Sequence, residues 1–180
     1  MKKKFMGVML FVLGALAMVV FQQIGQTAPA LTALDYEEIR NLYARYAVAA
    51  DTGAKDGDMW AQVFTEDGVA DTTNPSRENA SPAVGYEGLK AMVNRVTKFR
   101  VENGIENTPT HYVTNLLIEP TAEGATGVAY SFSPASALGG AASGGTYHDQ
   151  LVKTAEGWRF KKRTFTNGAF SEELLQALAQ

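Results

Sequence analysis

The sequence predicts an α+β domain in which helices come first and an antiparallel sheet follows. Three observations carry this. Apolar residues recur at helical spacing in Ile39, Leu42, Tyr43, Tyr46 and Ala50, and again in Tyr86, Leu89, Met92, Val93 and Val96. After residue 110 the period falls to two, in segments beginning at His111, Gly127, Thr146 and Trp158. Runs of helices followed by runs of strands belong to α+β folds, whereas a parallel α/β fold would alternate them.

Each element has its own signal. Thr32 followed by Asp35 is a capping box, and it starts the first helix. Asp51-Thr52-Gly53 ends that helix, and Lys55–Asp58 forms a polar turn. Asp58 caps a short second helix, Met59–Phe64, with Trp60 and Phe64 as its apolar pair. Glu66-Asp67-Gly68 turns the chain into a strand at Val69–Thr72. Residues Thr73–Pro82 read as a loop, the third helix follows, and Asn103–Pro109 breaks it. In the first long strand, His111–Glu119, strict alternation puts His111, Val113, Asn115 and Leu117 on one face and Tyr112, Thr114, Leu116 and Ile118 on the other. Gly127–Ser133, Thr146–Thr154 and Trp158–Phe165 are the remaining strands, the last two joined at Ala155-Glu156-Gly157. Pro134–Gly145 is rich in Gly, Ala and Ser, and Ser171–Ala179 reads as a closing helix. Trp60, Phe64, Leu89, Val93 and Leu116 are the expected core, with Trp158 and Phe160 flanking the last hairpin.

Composition bounds the function. The 180 residues suit one domain, with 46% apolar and 19% charged residues, as in globular chains. Sixteen Lys and Arg against nineteen Asp and Glu leave no basic face for nucleic acid. The absence of cysteine removes disulfides, thiolate nucleophiles and Cys-type metal sites, and two histidines, His111 and His148, leave little for a His-based one. There is no H-E-x-x-H, no G-x-x-x-x-G-K-[ST] and no G-x-S-x-G, and the Gly139-Gly140 and Gly144-Gly145 pairs do not join a strand to a helix. Neither a metal nor a cofactor is implied.

Residues 1–30 read as a signal peptide and 31–180 as the domain. Lys2, Lys3 and Lys4 precede an apolar core from Phe5 to Phe21, and Ala28-Pro29-Ala30 supplies a small-x-small cleavage site. At 17 residues that core sits at the lower edge of a bilayer span, so an uncleaved anchor is the alternative. Either way the domain is expected outside the cytoplasm, periplasmic or secreted, and touching the membrane only through this segment. Its loss takes three lysines and leaves a net charge of −6.

Four stretches in order carry a resemblance across nearly all of the remaining chain: LDYEEIRNLYARYAVAADTGAKDGDMWAQVFTEDGVAD, GYEGLKAMV, THYVTNLLIEP and GTYHDQLVKTAEGWRFKKRTF. Together they resemble the SnoaL-like branch of the nuclear-transport-factor-2-like superfamily, to which scytalone dehydratase, ketosteroid isomerase and limonene epoxide hydrolase belong. The resemblance implies a cone-shaped, cystatin-like α+β barrel, with a curved sheet wrapped around the long first helix and a largely apolar pocket at its open end. It also implies a homodimer formed through the outer sheet face.

Candidate residues follow. Asp51 ends the first helix where the resemblance places a carboxylate at the pocket mouth; half-buried among aromatics, such a group gains proton affinity and can act as a base. Its plainer reading is a turn residue accepting from Thr52 and Gly53. His111 matches the pocket histidine of scytalone dehydratase-like members, and imidazole is a natural acid or base near neutrality. Tyr147 and Asp149 share a strand face with His148 pointing away, and the resemblance makes this pair pocket-facing. Asn115 is a candidate oxyanion donor, and Tyr43 and Tyr46 are candidate ligand-facing hydroxyls that also suit a helical core. Lys161-Lys162-Arg163 reads as a solvated edge.

The enzyme patterns are met only partly. The second histidine of the dehydratase is missing from Gly127–Ser133, where Ser131 and Ser133 stand. The middle arginine of an Asp–Arg–Asp set has no clear counterpart, and Asp149 is a candidate for the protonated acid of a ketosteroid isomerase-like site. Two functions stay open: a cofactor-independent lyase or isomerase acting on a small oxygenated apolar molecule through Asp51 and His111, and a non-catalytic periplasmic binding or accessory domain.

Overall fold

Thr32 begins the first helix, α1 (Ala33–Thr52), by the expected reciprocal cap. Its hydroxyl accepts the Asp35 N–H at 3.2 Å, and the Asp35 carboxylate accepts the Thr32 N–H at 2.9 Å. The same carboxylate accepts from Lys153 Nζ at 2.6 Å and from the Trp158 indole at 3.0 Å, tying the start of α1 to the last hairpin. Gly53, at φ 57°, closes the helix in the left-handed conformation with its N–H on the Ala49 carbonyl. The computed structural model describes residues 29–73, 81–104, 110–134 and 143–168. Residues 1–28, most of the two predicted loops and the closing helix at Ser171–Ala179 lie outside the described residues.

The second helix, α2 (Asp58–Ala61), is shorter than predicted. Gly57 precedes it without a side-chain cap, and the Asp58 carboxylate instead binds the Tyr86 hydroxyl and Lys90, both at 2.8 Å. Phe64 belongs to the strand β1 (Phe64–Thr73), because Val63 and Phe64 lie against the last strand, where the Phe160 N–H reaches the Val63 carbonyl at 3.0 Å. A two-residue strand β2 (Ala83–Val84) leads into α3 (Gly85–Glu102). Then come β3 (Tyr112–Thr121), β4 (Gly124–Ser133), β5 (Ser143–Thr154) and β6 (Gly157–Asn167). The fold is α+β, with one six-stranded sheet in the order β2-β1-β6-β5-β4-β3. The predicted antiparallel sheet is mixed, since β1 runs parallel to β6.

Two bulges decide which side chains point inward. Asn115 takes φ 54°, and the pairing of β3 with β4 slips between Thr114 and Leu117. The alternation expected along β3 therefore breaks: Leu116 and Ile118 join Val113 on the core side, while Leu117 joins Tyr112 and Thr114 outside. A second slip, between Gln150 and Leu151, leaves Lys161 unpaired on β6 and turns both Phe160 and Arg163 inward.

The concave side of the curved sheet packs on α1. Ile39, Leu42, Tyr43, Tyr46, Ala49 and Ala50 meet Ala125, Ala129, Leu151 and Phe160 in one core. Tyr46 stands at its centre, with ring centroids 5.5 Å from Trp60, 6.2 Å from Phe64 and 5.8 Å from Phe160. Leu89 and Val93 of α3 are buried as predicted, Leu116 is half-buried, and Val96 is exposed. Trp158 and Phe160 are full core members and do not merely flank the hairpin.

Candidate active site

The last turn of α1 and the approach to β3 bring Asp51 and His111 together. Asp51 Oδ1 lies 2.7 Å from His111 Nδ1. Thr110 adds its hydroxyl at 2.5 Å to Oδ1 and its N–H at 3.0 Å to Oδ2, and the His111 N–H reaches Oδ2 at 3.3 Å. A carboxylate only accepts, so Nδ1 carries a proton toward it and Nε2 is left as the basic nitrogen. Burial alone would raise the proton affinity of Asp51. Hydrogen bonds from His111 and Thr110, with the charge of His111, outweigh it and hold the carboxyl at about 2. This corrects the expected role: Asp51 is too acidic to take a proton near neutrality, and it accepts from Thr110 and His111 instead of from its own turn.

Tyr46 links this pair to a second cluster. Its ring stands edge-on to the His111 imidazole at 5.9 Å and to Tyr147 at 5.8 Å. Tyr147 faces inward, its hydroxyl receives that of Ser131 at 3.2 Å, and burial, then the Tyr46 hydroxyl, push its phenol well above the usual range. Tyr43 and Asp149 also face inward, but they bind each other: the Tyr43 hydroxyl donates to Asp149 Oδ2. Asp149 is gripped from the other side by Arg163, Nε to Oδ1 at 2.9 Å and Nη2 to Oδ2 at 2.6 Å. Both Asp149 oxygens thus accept from Arg163 or Tyr43, and neither is left to donate to a ligand in the part considered for Asp149. The Arg163 guanidinium lies 4.0 Å from the ring centroids of Tyr46, Tyr147 and Phe160. Arg163 is thus at 2% exposure the opposite of the solvated edge predicted for it.

The model of the SnoaL-like domain matches residues 31–164. The chain belongs to the SnoaL-like family. No curated protein matches it. Among solved structures, it is similar to a nuclear-transport-factor-2-like protein with a cystatin-like fold from Novosphingobium aromaticivorans, at 24% identity over 81% of this chain and 89% of that one, with a TM-score of 0.56. A protein of unknown function from Mycobacterium tuberculosis is 27% identical over 82% of each chain, with a TM-score of 0.59. A candidate scytalone dehydratase from Novosphingobium aromaticivorans is 17% identical over 76% of this chain and 85% of that one, with a TM-score of 0.55. The two likenesses below 25% identity establish the cystatin-like fold alone.

Within this SnoaL-like domain the predicted site residues divide into three places. Asp51 and His111 meet directly, and Tyr46 and Tyr147 continue from them. Tyr43 and Asp149 form the deeper ionic cluster. Asn115 is exposed on β3, because the bulge it creates carries it out of the concave face, so an oxyanion role for it is dropped. His148 points outward as read from the alternation. Thr110 and Arg163 were missed: Thr110 carried no signal beyond preceding the histidine, and the inward turn of Arg163 depends on a bulge. A cavity of about 330 Å³ lined by Arg45, Val48, Met59, Gln62 and Arg159 shares no residue with the Asp51–His111 pair, and its lining carries no carboxylate or histidine.

Proposed function

We propose that the chain is a cofactor-independent acid–base catalyst of the dehydratase or isomerase kind, acting on a small oxygenated apolar molecule held beside His111. The observation that carries this reading is the 2.7 Å contact between His111 Nδ1 and an Asp51 carboxylate that stays ionised. His111 Nε2 takes the proton from a carbon next to a carbonyl, and the electron pair moves onto the carbonyl oxygen. Asp51 holds the tautomer and stabilises the imidazolium, as a carboxylate behind a catalytic histidine does. The imidazolium then returns the proton, either to a leaving β-hydroxyl, which departs as water, or to another carbon of the substrate. Tyr147, whose phenol stays protonated, is a donor for the developing oxyanion. The likeness to a candidate scytalone dehydratase supports the reaction class, as does membership of the SnoaL-like family.

The test uses a panel of cyclic β-hydroxy ketones and ketones in D₂O, followed by NMR for elimination of water and for exchange of the α-proton. Wild type is expected to promote one of these. His111→Ala should lower the rate by about 10²–10⁴-fold, the usual contribution of a general base. Saturable binding of panel members with no exchange or elimination, equal in wild type and His111→Ala, would overturn the catalytic reading in favour of a binding module.

We also propose that two copies pair through the convex sheet face, where Tyr112, Leu117, Tyr130 and Phe132 are all about half exposed on neighbouring strands.

A further inference from the structure

Arg100 is a charged residue buried at 5% exposure in the last turn of α3, and sequence spacing gave no link between it and the site. Its Nη1 donates to the Asp51 backbone carbonyl at 2.6 Å and lies 3.7 Å from Asp51 Oδ1. Two physical problems meet at Asp51. The carbonyl belongs to the end of α1, where the final turn lacks intrahelical donors. The carboxylate also sits at the negative end of the helix dipole, where a cation is favoured and an anion is not. The guanidinium answers both at once, from a different helix.

We infer that Arg100 is a positioning residue for the Asp51–His111 pair: it fixes the end of α1 that carries Asp51 and shares the Asp51 carboxylate with the imidazole, so that both partners of the pair are held in place. This rests on the reading of His111 as the proton-transferring group. An aspartate facing histidine alone would draw the imidazole strongly toward imidazolium, which cannot accept a proton. A second cation on the same carboxylate opposes that pull. Among the described residues, the titratable and charged groups around His111 are Asp51 and Tyr46 from α1, Arg100 from α3, and, behind the Tyr46 ring, Tyr147 and Arg163 from the sheet. Arg163 holds Asp149 through two hydrogen bonds, and Arg100 is the cation beside the Asp51 carboxylate, at 3.7 Å from Oδ1.

The experiment is the NMR titration of His111 in the folded protein. Removing the Arg100 charge leaves Asp51 entirely to the imidazole and takes away a repulsive cation, so in Arg100→Gln the His111 midpoint should rise by about 0.5–1 pH unit. Arg100→Lys keeps the charge and should stay within about 0.3 unit of wild type. A purely structural arginine would lower stability and leave the midpoint where it was, and an unchanged or lowered midpoint in Arg100→Gln would overturn the inference. If that variant does not fold, the unmodified protein decides: the Arg100 guanidinium nitrogen signals should follow the His111 titration and become flat in His111→Gln. Guanidinium signals indifferent to His111 protonation would equally overturn it. Because no turnover is read, these outcomes are separate from the D₂O assay, whose failure removes the catalytic reading and leaves the electrostatic coupling measurable.

Discussion

Asp51 accepts donors from Thr110 and His111 on both oxygens, and that saturation sets how the protein responds to acid. Its folded proton affinity is held at about 2 from an ordinary 3.8, so the folded state binds fewer protons than the unfolded chain between those values. The sign follows: the stabilisation is complete above about pH 5, is lost as pH falls through 3.8 toward 2, and amounts to about 2 kcal/mol. Asp51→Asn should therefore be less stable than wild type at neutral pH, with the gap closing below pH 4 in urea unfolding series. A gap that persists unchanged at pH 2 would mean that the ionised carboxylate is not its source. Asp51 and His111 were legible because the resemblance places a carboxylate at the end of the first helix and a histidine ahead of the alternating strand. Arg163 was not, since one unpaired residue on β6 exchanges its inward and outward faces, and spacing along a sequence carries no mark of that slip. Gly127 is silent in the same way. A Cβ there would come 2.2 Å from the Tyr43 hydroxyl, so its lack of a side chain is what lets Tyr43 reach Asp149 across the strand.

At the scale of elements, the helices were the most legible parts and the strand interiors the least. The reciprocal cap at Thr32 and Asp35 is written in local chemistry, and it starts α1 where expected. The second helix ends earlier than its apolar pair suggested because Phe64 answers to a distant partner, Phe160, across the β1–β6 pairing. Phe64 is nonetheless core, with Trp60 at 5.0 Å and Phe160 at 5.5 Å between ring centroids. Phe64→Ala should cost about 3–5 kcal/mol, as truncation of a packed aromatic does. A loss below about 1 kcal/mol in chemical denaturation would place Phe64 at the periphery, against the contacts described. The bulge in β3 has a local clue only in retrospect: Asn tolerates the left-handed conformation better than most residues, and here it takes it.

For the whole molecule, the convex face makes the sharpest prediction. Tyr112 pairs with Phe132, and Thr114 with Tyr130, so the aromatic rings gather at one end of the β3–β4 surface. If two copies meet there, Tyr130→Glu should convert a dimer into a monomer in light scattering without changing the circular dichroism of the fold. A wild-type protein that is monomeric at tens of micromolar would end that proposal. The parallel pairing of β1 with β6 has a different consequence, in the order of events as the chain forms. Phe64 meets Phe160 across nearly a hundred residues, and that contact cannot exist until the last strand has been made. The face of α1 that carries Tyr43 and Tyr46 packs on the same Phe160, so its final packing waits for that strand as well. Closing so long a loop before its contacts can repay it is slow, so the chain matures as a unit, late, and in the time between synthesis and closure its apolar helix faces stay uncovered.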